Sequence, residues 1–251
     1  MRQLTIIIPT YNEAQNLPVL VQGLFGLDLP QLKLLVVDDD SPDGTGSIAD
    51  QLAAHYPGRI EVLHRAGKLG LGTAYIQGFQ QALRAGAEAI GQMDADFSHP
   101  IEKIPLLLQA LGKYDIAIGS RYVPGGSVDL EWPLWRKGLS AFGNFYARTI
   151  LRLPVRDVTG GFKIWKNEAL QVMPLERVRS NGYAFQVELA YIAHRLGLNI
   201  CELPIYFADR QWGKSKMSFR IQREAAVRVW QLLWEYRDLT PVLQSPPCAT
   251  L

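Results

Sequence analysis

The stretch AIGQMDADFSHP, residues 89–100, ends a short apolar run in two carboxylates one residue apart. Asp94 and Asp96 stand where the run stops, and Pro100 opens a helix-like segment behind them. A strand that ends this way either caps the next helix or presents oxygen ligands to a cation. What else the fold brings to that edge decides between the two.

The same arrangement recurs on either side of it. The run LTIIIP (4–9) leads into Thr10-Tyr11-Asn12-Glu13, and LKLLVVDDD (32–40) finishes in Asp38-Asp39-Asp40. The run YDIAIGS (114–120) leads into Arg121-Tyr122, and RIEVLH (59–64) precedes a glycine-punctuated loop. Helix-like segments at 16–24, 45–55, 73–85 and 102–111 separate these runs. Continuous apolar strands alternating with helices predict an α/β fold with a mostly parallel central sheet and helices on both faces. Ligands of such sheets bind at the carboxyl ends of the strands, near a topological switch point. Four polar clusters at four strand ends therefore point to one shared site. The second half is less regular. Its expected elements are a loop at 123–135, a helix at 137–151, a short strand in GGFKIW, a helix at 184–197, a strand at 199–207, a basic loop at 209–218 and a helix at 220–236.

The chain has 251 residues, 48% hydrophobic and 20% charged, with a net charge of +2. That is the profile of a soluble globular protein, and it gives no support to a nucleic-acid partner. Charge is nevertheless uneven. Residues 132–156 carry Arg136, Lys137, Arg148, Arg152 and Arg156 without a single acid, interleaved with aromatics. Such a segment is either a solvated helix face or a contact for an anionic lipid surface. The two cysteines, Cys201 and Cys248, lack metal-ligand spacing, which fits a reduced, cytoplasmic chain. No secretory signal is recognisable, and no window reaches the roughly 18 apolar residues of a membrane span.

Two carboxylates at i and i+2 can hold Mg²⁺ or Mn²⁺, ions that commonly also bind substrate phosphates. One carboxylate of VVDDDSPDGT (36–45) can accept hydrogen bonds from a nucleobase, while Asp43 or Thr45 caps the following helix. The loop GKLGLGTA (67–74) allows close backbone approach but matches no standard phosphate-loop pattern. His99, just before Pro100, has a capping or packing role.

Together these features resemble the inverting nucleotide-diphospho-sugar glycosyltransferases of family 2, which have the GT-A fold. Within them the chain is most similar to the polyprenol-phosphate (dolichol-phosphate) mannosyltransferases. The motifs that carry the resemblance are IIPTYNE, VVDDDSPDGT, GLGTAYIQGF, MDADFSHP, GSRY, WRKGLS, DVTGGFKIW, GYAFQVEL and DRQWGKSKM, in the family's order and across nearly the whole chain.

The resemblance implies a donor site of Pro9, Tyr11, Glu13, Val37, Asp39, Asp94, Ala95, Asp96, Arg210 and Lys216. It implies a metal site of Asp94, Asp96 and Ser98, and catalysis by Asp94, Asp96 and Arg121. The acceptor lipid phosphate would lie on Arg121, Arg136 and Ser140. Many relatives have Gln at the position of Ser98, whose shorter side chain would reach an ion through water. Some have a lysine where this chain has Asn181. The implied activity is mannosyl transfer from GDP-mannose to a polyprenyl phosphate; the alternative is the same fold using UDP-glucose or another nucleotide sugar with a polyprenyl phosphate or other acceptor. The implied layout is one GT-A catalytic domain at 1–240 and a flexible tail at 241–251. An acceptor loop and amphipathic membrane-surface segment would occupy about 121–152, and the basic loop 209–218. Trp132, Trp135, Leu139, Phe142, Phe145 and Ile150 would face lipid. The protein is then expected to sit peripherally on the cytoplasmic face of a membrane, alone or with an unidentified membrane tether.

Overall fold

The computed structural model describes residues 3–209 and 219–242. In chain order the elements are β1 (Leu4–Thr10), α1 (Asn16–Phe25), β2 (Leu32–Asp38), α2 (Thr45–His55), β3 (Ile60–His64), α3 (Leu71–Arg84), β4 (Ala89–Gln92), α4 (Ile104–Ala110), β5 (Ile116–Ser120), β6 (Ser127–Val128), α5 (Leu134–Leu151), β7 (Lys163–Lys166), α6 (Asn167–Gln171), α7 (Gly182–Arg195), β8 (Ile200–Pro204), β9 (Tyr206–Phe207) and α8 (Phe219–Glu235). The main sheet has the order β3-β2-β1-β4-β7-β5-β8, and β6 pairs with β9. Within the main sheet β7 runs antiparallel to both β4 and β5, and the other pairs are parallel. The expected mostly parallel sheet is therefore present.

The chain starts in the middle of the sheet, winds outward through β2 and β3, then returns to the other side of β1 as β4. The switch point thus lies between β1 and β4, and a crevice opens beyond their carboxyl ends. Thr10 and Asp94 leave the sheet there. Both faces of the sheet are covered. Ile7, Leu35, Val37 and Ile90 face one core with α3, α7 and α8, while Ile6, Ile8, Leu34 and Val36 face another with α1 and α4. This alternation is the two-residue period of a strand buried on both sides. Helix α3 shows the matching helical period: Ala74, Tyr75, Gly78, Phe79 and Ala82 are buried. Gly78 lets it sit close to the sheet, because a Cβ there would lie 2.6 Å from Cγ2 of Ile7.

Two expectations need correction. The run 199–207 is not one strand. β8 ends at Pro204; Ile205 still donates to Ser120 O at 3.0 Å, but its own carbonyl accepts from Ser127 N at 2.9 Å, and the chain goes on to pair as β9 with β6. Helix α5 begins at Leu134 rather than 137, because the carbonyl of Pro133 already accepts the amides of Arg136 and Lys137. The start of the expected tail is held, since Val242 donates its amide to Leu196 O at 3.1 Å.

Candidate functional site

The carboxyl ends of β1 and β2 are tied together by their own turns. Asp38 turns toward β1, accepting from Thr10 Oγ1 at 2.9 Å and from Ser41 Oγ at 2.6 Å. Asp43 accepts from Thr45 N and Oγ1 and from Ala14 N, at 3.1, 2.6 and 3.1 Å. The β1 and β2 turns therefore move as one body, with Asp38 and Asp43 structural. Asp39 points the other way and takes Arg65 Nη1 at 2.6 Å, with both side chains buried. Burial pushes the Asp39 carboxyl up, against the pull of Arg65. Arg65 also reaches Thr73 Oγ1 at 2.5 Å and Gly70 O at 3.3 Å, so it fixes the start of α3 relative to Asp39.

The expected nucleotide residues fall around this edge in different ways. Tyr11 lies under the ammonium of Lys68, 3.8 Å from the ring centroid. Glu13 accepts from Asn16 Nδ2 at 2.5 Å, and its amide donates to Thr45 Oγ1. Pro9 pairs with Val37 in the sheet. The Val37 and Ala95 side chains are core, so only their backbone is available to a ligand.

Asp94 and Asp96 are each held from a different side. Tyr75 donates its hydroxyl to Asp94 Oδ1 at 3.3 Å, and the Asp94 amide donates to His99 Nδ1 at 3.1 Å. Ser98 donates to Asp96 Oδ1 from both N and Oγ, at 3.1 and 2.6 Å. His99 is buried and stacked on Phe162 with centroids 5.0 Å apart. Burial depresses its pKa against the pull of Asp94 and Asp96, so it is a packed neutral imidazole. Burial and the Asp94 charge raise the Tyr75 pKa well above its ordinary value, so the phenol stays a donor. Among the described residues no three His, Cys, Asp or Glu side chains gather around one point. Two oriented carboxylates remain, which suits an ion that takes its other ligands from substrate phosphates and water. Tyr75→Phe should leave the melting temperature within about 2 °C of wild type. It should weaken divalent-metal activation by roughly 10-fold, the order expected when a side chain orienting a ligating group is lost. A metal titration of activity checks this, and an unchanged midpoint would remove Tyr75 from the site.

Arg121 leaves the end of β5 and closes on Asp157. Its Nε and Nη2 bond Asp157 Oδ2 and Oδ1, both at 2.7 Å, and its amide bonds Oδ2 at 2.9 Å. Nη2 also donates to Thr159 Oγ1 at 2.8 Å. Burial alone would raise the Asp157 carboxyl, but the Arg121 charge and hydrogen bonds hold it below the usual range. The 157–159 segment is clamped further. Asn144 Oδ1 accepts the amides of Val158 and Thr159, and Glu202 accepts those of Arg156 and Asp157. Arg121 is thus largely committed to the fold, which its sequence context did not reveal.

The expected acceptor residues lie beside it. Ser140 Oγ accepts from Tyr122 OH at 2.7 Å, and Arg136 meets Asp209 at 3.2 Å. Arg136 stacks on Trp132 at 3.7 Å, and Trp132 meets Phe207 edge-on at 5.8 Å. Arg121 lies 5.2 Å from the same Phe207 ring. Trp132 was expected to face lipid, but it is buried under Arg136. Leu134, Trp135, Phe142 and Phe145 are exposed on α5, as are Leu130 in the turn before it and, on α8, Trp230 and Trp234. The two helices pack together, with Trp230 Nε1 donating to Tyr146 OH at 2.9 Å. Arg210 and Lys216 lie outside the described residues. Among those residues no helix is long and apolar enough to cross a membrane.

One buried cation sits deeper. Lys163 in β7 is 1% exposed and donates to Gln186 Oε1 at 2.9 Å and Gln186 O at 3.3 Å. Burial drives its pKa from 10.5 to about 7, opposed by Asp157 and reinforced by Arg121. An unfolded lysine keeps its proton to about pH 10.4. From about pH 7 to that value the unfolded chain binds more protons than the folded one, so stability rises with pH across the window. Lys163→Met should therefore be more stable than wild type at pH 7, by on the order of a few kcal/mol. That advantage should shrink toward pH 10. Urea melts at pH 7 and 9.5 measure it, and an advantage equal at both pH values contradicts the assignment.

The glycosyl transferase family 2 model matches residues 5–173. The polyprenol monophosphomannose synthase of Mycolicibacterium smegmatis is 47% identical over 225 residues, 89% of this chain and 84% of that protein. The undecaprenyl-phosphate mannosyltransferase of Micrococcus luteus is 46% identical over 239 residues, 94% of this chain and 97% of that one. Among solved structures, glucosyl-3-phosphoglycerate synthase of Mycobacterium tuberculosis with Mn²⁺, UDP-glucose and phosphoglyceric acid superposes with a TM-score of 0.64. That match covers 93% of this chain and 79% of the other at 18% identity, which establishes the shared GT-A fold.

Proposed function

Because the chain belongs to glycosyl transferase family 2, we propose that it moves mannose from GDP-mannose to a polyprenyl phosphate with inversion at the anomeric carbon. The observation that carries this reading is the pair Asp94 and Asp96, oriented by Tyr75 and Ser98 at the switch point of the sheet. The names of the two bacterial relatives supply the lipid acceptor and the sugar.

In this reading residues 1–240 form one catalytic domain. Asp39 accepts from the base, steadied by Arg65, and Tyr11 and Glu13 line the nucleotide. Asp94 and Asp96 hold Mg²⁺ or Mn²⁺, and Ser98 fixes Asp96. The ion, when bound, neutralises the diphosphate as a leaving group. Arg210 and Lys216 share that task from the basic loop. The nucleophile is an oxygen of the lipid phosphate. Its second pKa is about 6, so it is largely dianionic at neutral pH and needs no strong base. It forms the new bond to the anomeric carbon as the bond to the nucleotide diphosphate breaks, and an α-linked donor yields a β-linked product. The enzyme's task is to hold two anions together. Arg136 and Ser140 take the acceptor phosphate, with Arg121 offering the nitrogen that Asp157 leaves open. The exposed apolar side chains of α5 and α8 rest on the membrane surface with Lys137 and Arg148 at head-group level, so the protein is peripheral on the cytoplasmic face.

The test is a donor panel of radiolabelled GDP-mannose, UDP-glucose and UDP-N-acetylglucosamine with Mg²⁺ and undecaprenyl phosphate. Label should pass into the organic phase from GDP-mannose. Transfer only from a uridine donor would reassign the donor, and no transfer from any would end the proposal.

A further inference from the structure

Gln186 has no part in the chemistry above, yet its carboxamide is placed with unusual definition. It lies on α7 with 3% of its surface exposed. Lys163, itself buried, donates to Gln186 Oε1 at 2.9 Å and to the Gln186 carbonyl at 3.3 Å. As an ammonium Lys163 can only donate, so this contact sets the carboxamide oxygen toward it. Nε2 is then forced to the opposite side. Among the described residues Nε2 donates to no other protein group, yet it is not fully enclosed, so it is open to a ligand.

The space it faces is defined by Gly161. A Cβ built on that glycine would lie 3.6 Å from Gln186 Nε2, 3.6 Å from His99 Cε1 and 3.8 Å from Asp94 Oδ2. The missing side chain thus leaves a notch with an amide donor and a carboxylate acceptor facing one point. A phosphate does not suit the notch, because Asp94 would repel it. A hydroxyl suits it well, since it can accept from Nε2 and donate to Asp94 at once.

We propose that Gln186, set by Lys163, binds one hydroxyl of the transferred sugar in the notch over Gly161, and so helps select the donor. The inference rests on the reading of Asp94 as part of the donor site. Gln186 touches the sugar, whereas Lys163 is a positioning residue that acts through it. Both protonation states of Lys163 retain the two hydrogens these contacts use.

The experiment compares wild type, Gln186→Met and Lys163→Met on GDP-mannose and its 2-, 3-, 4- and 6-deoxy analogues, with Mg²⁺ and undecaprenyl phosphate. GDP affinity is measured alongside by calorimetry. Each variant should lose roughly 10-fold in kcat/KM on GDP-mannose, about the value of one hydrogen bond. GDP affinity should stay at the wild-type value, which also shows that the variants are folded. One deoxy donor should be used equally by wild type and both variants, because the contact is already gone. A loss of the same size on every deoxy donor would overturn the proposal, as would a variant with wild-type kcat/KM on GDP-mannose. Wild type that binds GDP but transfers from none of these donors overturns the donor reading first, and is distinguished by failing before any substitution is made.

Discussion

Asp96→Asn should abolish glycosyl transfer and leave the protein folded. Asparagine keeps the size of the side chain and an oxygen to accept from Ser98 N and Oγ, the two bonds that orient Asp96. What it loses is the negative charge. A neutral amide is a poor ligand for a hard divalent ion, and stabilisation of the departing diphosphate by the ion is worth several kcal/mol. The turnover number should therefore fall by on the order of 10³-fold or more. The melting temperature should move by no more than about 2 °C, because the Ser98 contacts survive. Turnover within about 10-fold of wild type at saturating metal would show that Asp96 does not hold the ion.

The second large effect is on stability. Asp157→Ala removes the carboxylate that faces the Arg121 guanidinium through two bonds of 2.7 Å. Arg121 is 6% exposed and cannot lose its proton. An uncompensated buried charge costs about 3–5 kcal/mol, enough to lower the melting temperature of a domain this size by roughly 10 °C or more. The pH dependence has a definite sign. The folded carboxyl titrates below its ordinary value of 3.8, so its contribution is complete above that pH and is lost as pH falls through the folded value. Wild type and Asp157→Ala should therefore differ most near neutrality, and the difference should shrink as the pH falls below 3.8. A constant difference down to pH 2 would assign the loss to packing instead.

Much of the sheet was legible because it is built from long β-branched and aliphatic runs. LTIIIP and LKLLVVD are buried on both faces, so their apolar character is continuous and their ends are marked by abrupt charge. The helices between them carry the matching period, as Tyr75, Gly78, Phe79 and Ala82 show. The direction of β7 was not legible. KIWK has only four residues, and strand direction is set by the path of the preceding chain rather than by local pattern. The split of residues 199–207 turned on a change of partner at Ile205, which donates to Ser120 O while its carbonyl accepts from Ser127 N, a long-range choice no local pattern shows.

The candidate site was legible in its acids and less so in their partners. The spacing of Asp94 and Asp96 is local, but Arg65 lies 26 positions after Asp39, and Asp157 lies 36 after Arg121. Asp157 sits in the motif DVTGGFKIW, yet only the fold puts its carboxylate against the end of β5. Trp132 shows the same limit in the other direction. A tryptophan in a basic, aromatic segment reads as an interface residue until Arg136 is seen lying on its ring. Lys163 and Gln186 lie in the motifs DVTGGFKIW and GYAFQVEL, but nothing in those motifs shows that the two side chains pair, since that depends on α7 crossing β7.

The central claim is sugar transfer to a lipid phosphate at the Asp94–Asp96 site, and one measurement bears on it most directly. Purified protein is mixed with GDP-mannose, a short polyprenyl phosphate and Mg²⁺, and the mixture is followed by phosphorus and proton NMR with and without a chelator. GDP should appear in step with a β-mannosyl phosphodiester, and both should stop when the chelator is added. Release of GDP with free mannose and no phosphodiester, or formation of the α-anomer, would contradict it.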